Sequence, residues 1–273
     1  MEVVTILNLK GGVGKSVTAC NLAWNMAEDG KNVLVVDLDK QGNTSKFFGV
    51  CDYDRPTIAD VLTREKQIFD VLVRVKERTE KTGEIALAPA DMRLLNANRQ
   101  VMFDMAHQQQ NRLATELKYV SGQYDICIVD CPPDIDMGVI NALVAADAVI
   151  IPVDNDAWAL DGLHEVIDQV QVVNEEYNPN LEILGVLRTK VQKSASCRRV
   201  GEMLEGLQVF DSKIRDSKIV PNANNAHKAL REFAPNAAVT KDYMALTAEI
   251  WESLDSHHFV RRCEEDWERR QEG

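Results

Sequence analysis

No run of about eighteen apolar residues, the length that a membrane-crossing helix needs, occurs in this 273-residue chain. Its N-terminus reads at once as a strand, without the charged, apolar and small-residue succession of a secretory signal. Cysteine is sparse: Cys20, Cys51, Cys127, Cys131, Cys197 and Cys263 make no Cys-x-x-Cys pair and no metal-ligand spacing with histidine. They read as reduced thiols, several of them in the core. Net positive charge is lacking too, since the balance is −12, which argues against a surface coated for nucleic acid. Repeats and low-complexity linkers are absent. A soluble cytoplasmic protein is expected, with one α/β domain over residues 1–273 and a charged tail from about 259 to 273. At 45% hydrophobic, the chain can bury a large core.

What is present starts at Asn8-Leu9-Lys10-Gly11-Gly12-Val13-Gly14-Lys15-Ser16, between the apolar run Val3 to Leu7 and a helical pattern. A strand that enters a glycine-rich turn and then a helix N-terminus turns successive N–H groups inward, a cradle for a phosphate chain. Lys15 can reach terminal phosphates, and the Ser16 hydroxyl can ligate Mg²⁺. The first glycine of the usual pattern is missing, because Leu9 stands there, and a second lysine, Lys10, follows it.

Ala19, Leu22, Ala23 and Met26 form one helical stripe that ends at Gly30, and Asn32 to Asp37 reads as the next strand. Residues 1–40 thus make a βαβ unit. Asp37 and Asp39 lie at the carboxyl end of that strand, where alternation points both the same way; one would hold a magnesium-bound water and the other orient the attacking water. Residues 50–84 read as peripheral, with helical patterning around Ile58 to Leu62 and Ile68 to Val75. Asp125 to Asp130 is an apolar strand ending in an acid, the Walker B form, and places Asp130 to reach Mg²⁺ through water. The next residue is Cys131, so the glutamate base of many P-loop ATPases is absent and slow hydrolysis is expected. Further strands are expected at 148–153 and 181–187, and helices at 160–173, 200–207, 223–233 and 240–254.

The acidic total hides a basic sector. Between Arg188 and Arg231, ten Lys/Arg against four acids leave a local balance of +6.

These residues resemble the ParA/MinD family of deviant Walker ATPases, its ParA-type branch above all. The resemblance lies in Lys10 to Ser16, in Val36-Asp37-Leu38-Asp39 with Gln41-Gly42-Asn43, in Asp130-Cys131-Pro132-Pro133 with Asn141 to Asp147, and in Ala159 to Leu163. It implies a doubly wound, mostly parallel α/β sheet flanked by helices, and an ATPase with ATP and Mg²⁺ as cofactors. Residues Lys10, Gly11, Gly12, Val13, Gly14, Lys15, Ser16 and Val17 would hold the nucleotide. Lys10, Lys15 and Asp39 would be catalytic, and Ser16, Asp39 and Asp130 would serve the metal. Lys10 would be the signature lysine that reaches across a nucleotide-sandwich homodimer. Family membership further implies non-specific DNA binding on the nucleoid, plasmid or chromosome partition, and a ParB-type centromere-binding partner that stimulates hydrolysis. Arg198, Arg199, Arg215, Lys218 and Arg231 are the DNA candidates, and salt-sensitive binding would follow.

The chain departs from the family pattern in places. Val17 replaces a threonine, Asp134 and Asp136 stand where serine and glycine are frequent, and Arg215 stands where a proline often follows the isoleucine. Arg188 is then a candidate for base contact. The alternatives are a MinD-like positioning ATPase, for which the tail is too acidic, or another P-loop ATPase of this fold not acting on DNA, such as a metal-cluster carrier or a small-molecule ligase. No long segment precedes the first strand, so operator binding through an added helix-turn-helix domain is not expected.

Overall fold

The computed structural model describes residues 1–52, 54–155 and 159–271, with backbone only for 159–161 and 256–271. Strand β1 (Glu2–Ile6) runs through the glycine-rich loop into α1 (Lys15–Glu28) and β2 (Val33–Asp37). Three short helices follow, α2 (Asn43–Phe47), α3 (Ile58–Leu62) and α4 (Ile68–Val71), then β3 (Val73–Lys76) and β4 (Ile85–Ala88). Next come α5 (Arg93–Phe103), α6 (Arg112–Val120), β5 (Ile126–Asp130), α7 (Met137–Ala145) and β6 (Ala148–Val153). The rest is α8 (Ala159–Glu176), β7 (Glu182–Arg188), α9 (Ala195–Met203), α10 (Ile219–Asn225), α11 (Leu230–Phe233) and α12 (Ala238–Gln271).

Among the described residues, seven strands join one sheet in the order β3-β4-β2-β5-β1-β6-β7, and of these only β3 runs antiparallel to its neighbour. Both faces are covered, which explains the near-continuous apolar strands. Leu34, Val36, Cys127, Val129, Val149 and Ile151 face one core, under α3 and α5 to α8. Their alternates Val33, Val35, Ile126, Ile128, Ala148 and Ile150 face the other, under α1 and α12. This is the doubly wound, mostly parallel architecture expected from the sequence.

Two expectations need correction. Residues 50–84 are not peripheral, because Ile58, Val61, Leu62 and Ile68 are buried in the core. The stretch Ile68 to Val75 is also not one helix: it turns after Val71, and residues 73–76 form an edge strand on β4, with Val73 opposite Leu87 and the register shifting between Arg74 and Lys76. Boundaries move elsewhere. Helix α9 starts earlier than the apolar pattern suggests because Ser194 caps it, its Oγ accepting the Cys197 N–H at 3.2 Å. The expected helix over 223–233 splits into α10 and α11 around His227, whose φ is +53°. Most of the charged tail continues α12, with side chains outside the described residues.

Candidate active site

Parallel order brings the carboxyl ends of β1, β2 and β5 side by side, with Ile6 and Asp37 both in register with Asp130. That edge is where an open parallel sheet binds its ligand. The loop after β1 is pinned by Asn8, whose Nδ2 donates to Pro152 O at 2.7 Å while its Oδ1 accepts the Lys10 N–H at 2.8 Å. Gly14 caps α1 in the left-handed region at φ +95°, a conformation that a Cβ would strain. Lys15, only 7% exposed, folds over the loop and donates to Asn8 O at 2.8 Å and Lys10 O at 3.0 Å. Burial lowers the pKa of its ammonium, and the nearby Asp130 charge opposes that shift.

The loop is also braced from the end of β7. Thr189 Oγ1 donates to Val13 O at 2.8 Å, with Val153 O 3.1 Å away, and Lys190 Nζ donates to Gly12 O at 2.6 Å. Neither residue is distinguishable in sequence from the polar end of any strand. Lys10 Nζ pairs with Asp154 just past β6, likewise unmarked by any motif. Half-buried Val17 packs toward the core beneath α12.

Asp37 and Asp130 are both fully buried. Burial raises both carboxyl pKa values, and the Asp130 charge adds to the effect on Asp37. Asp37 is already committed: Oδ1 accepts the Asp39 N–H at 3.0 Å, and Oδ2 accepts Ser45 N–H at 2.8 Å and Oγ–H at 2.7 Å. It therefore holds the turn and α2, and β2 ends at Asp37, so the strand alternation expected from the sequence does not extend to Asp39. Asp39 lines the cavity instead, its Oδ1 accepting the Gln41 N–H at 2.9 Å.

Asp130 Oδ2 accepts the Thr44 hydroxyl at 2.7 Å, whereas Oδ1 is buried with no hydrogen-bond partner. The Ser16 hydroxyl approaches the same carboxylate and, with Thr44, counteracts the effect of burial on its pKa. A free carboxylate oxygen beside a hydroxyl at the foot of a phosphate cradle suits Mg²⁺, which binds through few protein oxygens plus phosphates and water.

A cavity of about 780 Å³ opens above these groups, from Gly11, Gly12 and Lys15 across Asp39 to Asn224, Asn225 and His227. His227 Nδ1 lies 2.8 Å from Lys46 O, and since a carbonyl only accepts, that nitrogen carries the proton. Asp134 lines the same cavity. Asp136 does not: its Oδ1 caps α7 by accepting the Val139 N–H at 3.0 Å, and Oδ2 accepts Asn98 Nδ2 at 2.5 Å.

The basic sector divides by partner. Arg198 and Arg199 on α9 and Lys218 ahead of α10 are exposed. Arg215 is held on both sides by Asp242, through Nε at 2.6 Å and Nη2 at 2.7 Å. Arg231 Nη1 pairs with Asp29 at 2.8 Å. Arg188 donates through Nη2 to Cys197 O.

Comparison with known proteins agrees with this geometry. The family described as AAA domain matches residues 1–183. Chromosome partitioning protein ParA of Caulobacter vibrioides is 32% identical over 255 residues, covering 92% of this chain and 94% of that protein. Sporulation initiation inhibitor protein Soj of Bacillus subtilis is 34% identical over 255 residues, 91% of this chain and 98% of its own. The crystal structure of cobyrinic acid a,c-diamide synthase from Mycobacterium smegmatis, with ADP and magnesium bound, superposes with a TM-score of 0.79 at 25% identity, covering 94% and 96% of the two chains. Among the described residues, no helix is long and apolar enough to cross a membrane. Similarity of this depth, carried across nearly the whole length, means that the chain belongs to the ParA/MinD family of deviant Walker P-loop ATPases.

Proposed function

We propose that this chain is an ATP-dependent, dimerising ATPase that binds DNA without sequence preference and drives plasmid or chromosome partition, its hydrolysis stimulated by a ParB-type partner. The observation that carries the reading is the glycine-rich loop over β1 with the unpartnered Asp130 Oδ1 and the Ser16 hydroxyl at its foot. The names of the ParA and Soj relatives support partition as the task. ATP and Mg²⁺ are supported by the ligands of the solved neighbour.

In this reading residues 10–17 cradle the phosphates, and Lys15 reaches the terminal ones. Ser16 and Asp130 would hold magnesium, which when bound would neutralise charge building on the phosphate oxygens. Lys10 leaves Asp154 to meet the partner subunit's phosphates, and Asp39 orients the attacking water. Cys131 supplies no base where it follows Asp130, so basal turnover is weak and a stimulating partner has something to add. The DNA surface lies in the basic sector, led by Arg198, Arg199 and Lys218, with Arg215 and Arg231 at its paired margin. One ATPase domain does this work, in the cytoplasm and on the nucleoid.

The test is binding to a non-specific DNA duplex with ATP, with ADP and without nucleotide, across a salt series. ATP-dependent binding that weakens steeply with salt is expected. Absence of DNA binding in every state, in protein that binds ATP, overturns it. The likeness to cobyrinic acid a,c-diamide synthase favours one other reading, a P-loop enzyme acting on a small molecule. Turnover that requires a metabolite and ignores DNA would select it.

A further inference from the structure

Two neighbouring hydroxyls on α2 each hold one of the two buried acids. Ser45 donates to Asp37 Oδ2 at 2.7 Å and its Oγ accepts the Ala90 N–H at 2.9 Å, which closes a purely structural circuit. Thr44 does something else. Its fully buried hydroxyl donates at 2.7 Å to Asp130 Oδ2, while Oδ1 is left without a partner. The last torsion of an aspartate is broad and roughly two-fold, so a backbone position alone does not fix where its oxygens face. The Thr44 bond does so, together with the approach of the Ser16 hydroxyl.

Helix α2 is also joined to the loop that carries Asp39. The Gly42 N–H donates to Asp39 O at 2.7 Å, and the Lys46 N–H donates to Gly42 O at 2.9 Å. A displacement of the Asp130 carboxylate therefore pulls on Asp39 through one short helix.

We propose that Thr44 is a positioning residue of the nucleotide site, which presents Asp130 Oδ1 to the cation and ties the Asp39 loop to that carboxylate. This rests on the reading of the pocket as an ATP and Mg²⁺ site. An isosteric side chain without the hydroxyl would fill the same volume, free the carboxylate to rotate and leave Oδ2 unpartnered.

The experiment is a Mg²⁺ titration of the full chain with a fluorescent, non-hydrolysable ATP analogue, for the unmodified protein, Thr44→Val and Thr44→Ser. Thr44→Val is expected to raise the half-saturating Mg²⁺ concentration about tenfold, the low end for loss of a group that orients a metal-site residue. Thr44→Ser should restore the parent midpoint, and analogue binding in EDTA should be equal in all three. If Thr44→Val does not fold, Thr44→Ala removes the same hydroxyl and should give the same shift. An unmoved midpoint in the hydroxyl-free variant overturns the proposal. So does an equal shift in Thr44→Ser, which would make packing beside Cys20 the cause. If the unmodified chain binds the analogue without regard to Mg²⁺, or not at all, the ATP and Mg²⁺ reading falls first and takes this proposal with it.

Discussion

The Lys10 ammonium and Asp154 Oδ1 form an ion pair of 2.9 Å between the phosphate loop and the end of the neighbouring strand, at side-chain exposures of 27% and 17%. The pair is part-buried, so the lysine leaves it only for another strong acceptor such as a phosphate oxygen. Asp154→Ala, which takes this acceptor from a part-buried ammonium, should lower stability by about 1–3 kcal/mol in urea unfolding. Lys10→Ala should retain some ATP binding and lose turnover, measured as phosphate release. Normal turnover in Lys10→Ala would remove Lys10 from the mechanism.

Lys15 is held over the loop by two carbonyls. Its charge-assisted bonds to phosphate oxygens should make Lys15→Ala weaken ATP binding about 10–100-fold. Calorimetry with the nucleotide checks this, and an unchanged affinity would refute the role.

Asp39 faces the cavity, whereas Asp37 is spent on α2. Asp39→Ala should abolish hydrolysis while leaving ATP-dependent DNA binding intact, so that the complex persists on DNA. Rapid release from DNA in a gel-shift chase would sink that assignment.

Arg198, Arg199 and Lys218 are exposed, whereas Arg215 is engaged by Asp242. Alanine at each of the first three should weaken DNA binding and lower the salt slope by about one. Arg215→Ala should instead show mainly as a lowered Tm. A uniform DNA effect across all four would erase the distinction.

Gly42 and Gly49 both sit at positive φ, +62° and +74°, yet a Cβ on Gly42 would lie 2.7 Å from Ala90 O while one on Gly49 meets open space. Left-handed strain costs a side chain about 1–2 kcal/mol at either site. Gly42→Ala should therefore destabilise the chain clearly more than Gly49→Ala in urea midpoints. Equal losses would mean that α2 is not seated against Ala90.

Much of the site was legible because its chemistry is local. The phosphate loop needs contiguous residues on one strand-to-helix turn, and Asp130 ends an apolar strand that announces itself. Thr44, Asp154, Thr189 and Lys190 were not legible, since each acts on a partner far along the chain. The edge strand β3 was hidden for a related reason: four residues after a short helix carry too little pattern to separate a strand from one more helical turn.

The sequence by itself determined the α/β class, the buried parallel strands and the deviant loop, because periodicity and motif spacing act over a few residues. Only the tertiary structure decided which aspartate stays open to the cavity, which arginines are already paired, and which hydroxyls orient Asp130. Those outcomes depend on strand order and on the seating of α2, which put residues such as Thr44 and Asp130 within 2.7 Å across 86 positions of chain. Hydrogen-bond competition among groups so far apart in sequence is resolved only when the sheet brings them together.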